Sequence, residues 1–269
     1  MLTKGLTMTI VFEAESANYG EGIGNVATLK KLSRGNGNQY TYISRQAIRY
    51  NIIEQLGEEK ANVEASGSGD KKVIQFSADS TILDYPELDF FGYLKTEKGT
   101  GGKKRSAIVR LSNAISTENF KGDLDFLTNK GLADRLNENM NIAQAEIHKS
   151  YYVYTLAIDL DQIGIDKNYD IELPKEEKTR RVKKLLDTIA FLYRDIRGRR
   201  ENLSPLFVIG GVYDIKNPIF ENMKKDTICG VIDGKFDNTN EIKNNLNALT
   251  IPQFFENLKE KVRDCYESN

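Results

Sequence analysis

The order of the chain's apolar-periodic segments constrains its fold more than any other feature. Residues 5–15, GLTMTIVFEAE, set Leu6, Met8, Ile10 and Phe12 at alternate positions, the period of a strand with one buried face. From Ser44 to about Leu56 the pattern becomes helical. AIVRLSNAI predicts a strand ending near residue 115, and YYVYTLAIDL over 151–160 is the strongest strand signal in the chain. A helix is predicted from about Lys178 to Ile196, with Val182, Leu185, Leu186, Ile189, Leu192, Tyr193 and Ile196 on one stripe. PLFVIGGVYDI then reads as a buried strand. The sequence β, α, β, β, α, β is the order of the split βαβ unit, which predicts an α+β, RRM-like or ferredoxin-like fold.

Two polar stretches interrupt that order. Residues 57–117 carry a glycine-serine turn at ASGSGD, an apolar and acidic patch DYPELDFFGYL and the flexible KTEKGTGGKKR, and read as an insertion on a core rather than a separate domain. A second excursion runs from about Phe120 to His148. A C-terminal amphipathic helix, about Ile251 to Tyr266, is led by TIPQ, where Thr250 is a candidate cap. There is no internal repeat. With 269 residues, 39% hydrophobic and 29% charged, the chain has the balance of a globular protein able to bury a core. No apolar run approaches the ~20 residues of a membrane helix, and the N-terminus lacks a secretion signal pattern, so a cytoplasmic protein without membrane partners is expected.

The net charge of −1 conceals segregation. Between Glu21 and Glu54 no acidic residue occurs, yet Lys30, Lys31, Arg34, Arg45 and Arg49 do. Lys95, Lys98, Lys103, Lys104, Arg105 and Arg110 are opposed only by Glu97. A third run spans Lys178 to Arg200, interrupted by Asp187 and Asp195. Any one run reads as a solvated face; three in a near-neutral chain point toward a surface for a polyanion.

Several signals coincide between Ser16 and Tyr50. Gly20, Gly22, Gly24, Gly35 and Gly37 allow close backbone approach, so that amides can face phosphates. On a helical wheel Arg45 shares the sector of Ile52 and Leu56. A helix dipole disfavours cations in a first turn, so Arg45 and Arg49 call for an anion there. From the residues two partners stand open: an RNA phosphate, or an internal ion pair with Glu13 or Glu15. Tyr40 and Tyr42 either stack on bases or pack in the core. The sole histidine, His148, has no accompanying nucleophile and reads as structural, as do the unpaired Cys229 and Cys265. Asp84, Glu87 and Asp89, and the pair Asp159 and Asp161 on one face of IDLD, are weighed as metal ligands and read instead as solvated surface, for want of a third ligand or a histidine. No cofactor is expected.

The string ESANYGEGIGNVATLKKLSRGNGNQYTYISRQAIRY resembles the first strand, glycine loop and first helix of the backbone subunit of type I CRISPR Cascade complexes, in particular the DevR family of subtype I-B. The likeness is collinear afterwards, with GRRENLSPLFVIGGV resembling the loop and strand after that family's second helix. The resemblance implies one modified RRM palm (about 1–57, 106–117, 150–213 and the C-terminal part), insertions at about 58–105 and 118–149 forming fingers, and a thumb loop at about 194–205. It also implies a non-catalytic protein that polymerises along crRNA and presents the spacer to target DNA in antiviral defence. Its partners would be crRNA, target DNA through it, further copies of itself, and the foot or cap, large and small Cascade subunits. Carried over by position, Gly22, Gly24, Asn25, Lys30, Lys31, Arg34, Ser44, Arg45, Gln46 and Arg49 match guide-binding positions, and Arg197, Arg199 and Arg200 match the thumb by order along the chain.

Two rival functions follow from relatives of that family. Type III backbone subunits cut target RNA with an aspartate after the first strand, but this chain has no aspartate between Gly5 and Asp70, and Glu21 is the only carboxylate in that loop. The other rival is a stand-alone RNA-binding regulator.

Overall fold

The computed structural model describes residues 4–218 apart from 21, 23, 36, 67–71 and 97–101, together with 228–231, for which only the backbone is described, and 247–267. Strand β1 (Gly5–Ala14) lies at the centre of a sheet and buries Leu6, Met8, Ile10 and Phe12 completely or nearly so on one face. It pairs antiparallel with β6 (Ser150–Asp159) along its whole length, Gly5 opposite Asp159 and Ala14 opposite Ser150. On its other side it pairs antiparallel with β9 (Phe207–Tyr213). Beyond β6 come β4 (Val109–Leu111) and β5 (Ala114–Ser116), two short strands where one was predicted. The break falls at Ser112–Asn113. There the Ser112 hydroxyl accepts from the Thr155 N–H (2.9 Å) and the Ser112 N–H donates to the Thr155 carbonyl (3.0 Å).

The order β9-β1-β6-β5, with every pair antiparallel, is the split βαβ arrangement expected from the element order. The sheet extends past it at both ends. β2 (Lys31–Ser33) and β3 (Gln39–Ile43) form a hairpin whose second strand pairs with β5. At the opposite edge β10 (Ile228–Val231) pairs with β9, and β11 (Asn247–Thr250) runs parallel to β10.

Three helices cover one face: α1 (Arg45–Gln55), α2 (Lys175–Ala190) and α3 (Ile251–Glu267). Their inward stripes, Ile48 and Ile52, Val182, Leu185, Leu186 and Ile189, and Phe254, Leu258 and Val262, join the buried residues of β1 and β6 in one core. At the entry to α3, Thr250 Oγ1 accepts from the N–H of Gln253 (3.4 Å). The second predicted helix is shorter than expected. It stops at Ala190, and Tyr193 and Ile196 belong to a hairpin of β7 (Tyr193–Ile196) and β8 (Arg199–Asn202). Its two loop residues, Arg197 (φ 48°) and Gly198 (φ 75°), both have positive φ, the signature of the tight turn that matches strand twist. The apolar stripe misled because Leu192 is buried just past the helix end, prolonging the period.

The described part of the first insertion has its own small cluster. Hairpins of Val63–Ser66 with Val73–Phe76 and of Tyr93–Lys95 with Lys103–Arg105 flank a short helix, Pro86–Phe91, around a small cluster of Ala61, Ile82, Leu88 and Tyr93. Asp89 fastens it to the sheet's helices. Fully buried, it accepts from Arg105 (2.7 Å), Arg181 (3.2 Å) and the Gly164 N–H (2.9 Å). Asp89 is therefore not the solvated surface carboxylate the sequence suggested. Asp84 is exposed and Glu87 half-buried. The second excursion is a hairpin of Leu124–Thr128 with Ile142–Glu146, carrying a short helix (Lys130–Leu136) between its strands. Its returning strand pairs with Val26–Ala27, which joins it to the glycine-rich segment.

Candidate nucleic-acid interface

The glycine-rich segment is tied to the start of α1 by one side chain. Asn18 Oδ1 accepts from the Ser44 N–H (2.6 Å), its carbonyl accepts from the Lys30 N–H (2.6 Å), and its own N–H donates to the Tyr42 carbonyl (3.2 Å). Ser44 caps α1, its hydroxyl accepting from the Ala47 N–H (3.3 Å), and Asn113 Oδ1 accepts from the Arg45 N–H (2.9 Å). Three stretches of sequence thus converge on one helix N-terminus. Asn18 and Asn113 carried no sequence signal beyond being asparagines near turns, and became legible only from the fold.

Of the expected site residues, Gly22, Gly24, Asn25, Lys30, Arg34, Arg45 and Gln46 are exposed. Gly24 has φ +60°, a conformation its lack of Cβ permits. Arg34 stacks on the Tyr40 ring, its guanidinium carbon 4.5 Å from the centroid. Arg45 was expected on the inward sector with Ile52 and Leu56, and the structure corrects this: those two are buried while Arg45 is exposed. The internal ion pair weighed for it does not form either. Glu13 pairs with Lys149 (3.1 Å), and Glu15 with Arg199.

Other expected site residues are engaged inside the protein. Lys31 pairs with Glu146 (2.6 Å) and lies 4.4 Å from the Phe120 ring centroid, so it holds the second excursion. Arg49 sits 4.7 Å over the Phe91 ring and 3.9 Å from Glu87, half-buried, and burial pulls its pKa down against the pull of Glu87. Arg197 lies over the Tyr19 ring (4.1 Å), and Arg199 bonds Glu15 and the Ser16 hydroxyl (2.6 Å). Arg200 pairs with Asp195 (2.8 Å) and covers Tyr193. The β7–β8 hairpin is thus folded against residues 15–19. Glu201 completes the junction, one oxygen accepting from the N–H groups of Glu15 (3.1 Å) and Ser16 (3.0 Å) and the other from Nε of Arg194 (2.7 Å), which is buried.

The three basic runs therefore differ. In the second, Lys95 is fully buried and Arg105 is committed to Asp89; in the third, Arg181 and Arg194 are buried and Arg180 and Lys184 share Glu58. In the first run Lys30, Arg34 and Arg45 are exposed, whereas the exposed Arg110, Arg180 and Arg200 of the other two runs are paired with Asp159, Glu58 and Asp195.

The carboxylates weighed for metal are also engaged. Asp159 ends β6 and pairs with Arg110 (2.9 Å); Asp161 lies in the following helical turn and pairs with Lys216 (2.7 Å), so they do not share a strand face. Glu21 lies outside the described residues. His148 is buried, its Nδ1 2.7 Å from Thr41 Oγ1, which in turn is 2.8 Å from the Tyr152 hydroxyl. Cys265 is partly buried, and the side chain of Cys229 lies outside the described residues. Among the described residues no helix is long and apolar enough to cross a membrane.

Solved structures that share this fold include two chains of CRISPR surveillance complexes. One is a chain of a "CRISPR RNA-guided surveillance complex, pre-nicking", 10% identical over 95% of this chain and 89% of that one, with TM-score 0.52. The other is a chain of a "CRISPR RNA-guided surveillance complex", 13% identical over 87% of this chain and 91% of that one, with TM-score 0.55. No curated protein matches the sequence significantly. The family model of the CRISPR-associated negative auto-regulator DevR/Csa2 matches residues 6–233, and the chain belongs to that family.

Proposed function

We propose that this protein is a non-catalytic backbone subunit of a CRISPR surveillance complex, which polymerises along crRNA and presents the spacer for pairing with target DNA. The observation that carries this reading is the cluster of Lys30, Arg34, Arg45 and Gln46, exposed around the capped N-terminus of α1 beside the open glycine segment. A helix N-terminus ringed by cations suits a phosphate. The cations of that cluster suit phosphates rather than base edges, which supports binding largely blind to guide sequence. In this reading Gly22, Gly24, Asn25, Lys30, Arg34, Ser44, Arg45 and Gln46 form the inner phosphate track. Lys31 and Arg49 support it from behind, and Arg197, Arg199 and Arg200 border it. The sheet and its helices act as palm, the insertions of about 58–105 and 118–149 as fingers and the loop of about 194–205 as thumb, and the foot or cap, large and small subunits complete the assembly.

The non-catalytic assignment rests on the commitment of Asp89, Asp159 and Asp161 to cations within the fold. The test is to isolate the protein from its native host and sequence the nucleic acid it carries. Repeat-derived guides are expected. Recovery of its own gene's DNA or transcript alone would favour the stand-alone regulator that the family's description suggests.

A further inference from the structure

An α-helix leaves its first N–H groups without partners inside the helix. Acidic residues commonly answer them, because a carboxylate accepts the hydrogen bond and suits the positive end of the helix dipole. This chain does so at α2, whose first turn carries Glu176 and Glu177. At α1 it does not. No acidic residue lies in the first turn of α1. The two acceptors brought to it from distant sequence are carboxamides, Asn18 for the Ser44 N–H (2.6 Å) and Asn113 for the Arg45 N–H (2.9 Å).

The Ala47 N–H is taken by the hydroxyl (3.3 Å) and carbonyl (3.0 Å) of Ser44. Among the described residues the Gln46 N–H is then the one donor of the turn with no acceptor in the protein. The side chains of Arg45 and Gln46 are exposed beside it. Asn18 does more than fill a donor. Its carbonyl accepts from the Lys30 N–H (2.6 Å) and the Lys30 carbonyl accepts from the Tyr42 N–H (3.1 Å), so an exposed cation and the helix start are fixed to one residue. Asn113 stands at the break between β4 and β5, where Ser112 is held by Thr155 and the chain turns toward α1.

We propose that Asn18 and Asn113 are positioning residues of the guide site. They hold the N-terminus of α1 with neutral oxygens, so that the remaining main-chain donor, the Gln46 N–H, and the side chains of Arg45 and Gln46 meet an RNA phosphate unopposed. Aspartate at either position would accept the same hydrogen bond and suit the helix dipole better, so the stability of α1 does not account for asparagine. An arriving phosphate does: a carboxylate a few ångströms away would repel it, and a carboxamide does not. This rests on the guide-binding reading above and adds two residues that shape the site without themselves carrying charge to it.

The experiment compares Asn113→Asp and Asn113→Ala, and the same two changes at Asn18, in the full chain. Thermal melting of the RNA-free protein and filter binding to single-stranded RNA of mixed sequence are measured for each. Aspartate keeps the acceptor and adds a charge, whereas alanine removes the acceptor. Tm is expected to place aspartate at or above the wild type and alanine below both. RNA affinity should place the wild type first, alanine next and aspartate last, the aspartate variants binding about tenfold more weakly than the wild type. A purely structural role would make affinity follow Tm. That order, or an aspartate variant that binds as tightly as the wild type, overturns the positioning role and leaves RNA binding standing. Wild-type protein without affinity for RNA overturns both.

Discussion

Glu15 and Arg199 are ion-paired across 184 positions of sequence, joining the end of β1 to the β7–β8 hairpin. A candidate phosphate ligand is thereby occupied by a carboxylate, and both partners remain partly exposed. Glu15→Gln should free the guanidinium and raise affinity for single-stranded RNA by up to about fivefold, the scale of an exposed ion pair. Arg199→Ala should lower it. Filter binding of both variants checks this; equal affinities would remove Arg199 from the phosphate track.

Arg45 and Arg49 lie one helical turn apart yet should respond differently. Arg45 is exposed, whereas Arg49 packs on Phe91 beside Glu87. Arg45→Ala is expected to weaken RNA binding by about tenfold, one charge-assisted hydrogen bond, with Tm unchanged. Arg49→Ala should lower Tm as well. The slope of log affinity against log salt should fall by about 0.7 for each phosphate no longer neutralised, so Lys30→Ala with Arg45→Ala should flatten it by two such steps.

Asp89 sits between two arginines and a backbone N–H with no exposure to water. Burial pushes its pKa up and the flanking guanidinium of Arg105 pulls it down. Asp89→Ala leaves Arg105 buried without a carboxylate and Arg181 with Glu177 alone (2.7 Å), and denaturant unfolding should show a loss of about 3–5 kcal/mol.

His148 supplies a pH dependence. Burial lowers its pKa, against the opposing pull of Glu118 and Asp123, so the fold holds the neutral imidazole. A group of this sign contributes full stability above its unfolded pKa of about 6.5 and loses it as pH falls below that value. Tm should decline as pH is lowered through this window, before carboxylates titrate. His148→Gln should decline less over the same interval.

The fold was legible because its strands and helices alternate with clear periods. Leu6 to Phe12 in β1 and Val182 to Ile189 in α2 each bury the residues their spacing indicated. Irregular segments were less legible, since residues 58–105 hold together through long-range pairings such as Asp89 with Arg181, which have no local pattern. The site was legible as a region, through the coincidence of glycines and cations. Which cations stay free was not, because ion pairs such as Lys31–Glu146 and Arg199–Glu15 join residues more than a hundred positions apart. Asn18 shows the same limit: its part in fastening the glycine segment to α1 depends on a turn that exists only once β3 has paired.

The central claim, assembly along RNA, is tested most directly by native mass spectrometry of the protein on single-stranded RNAs of increasing length. The account predicts that bound mass rises in whole-subunit steps as RNA is extended, with the RNA left intact in the presence of magnesium or manganese. A single copy bound at every length, or metal-dependent cleavage of the RNA, would contradict it.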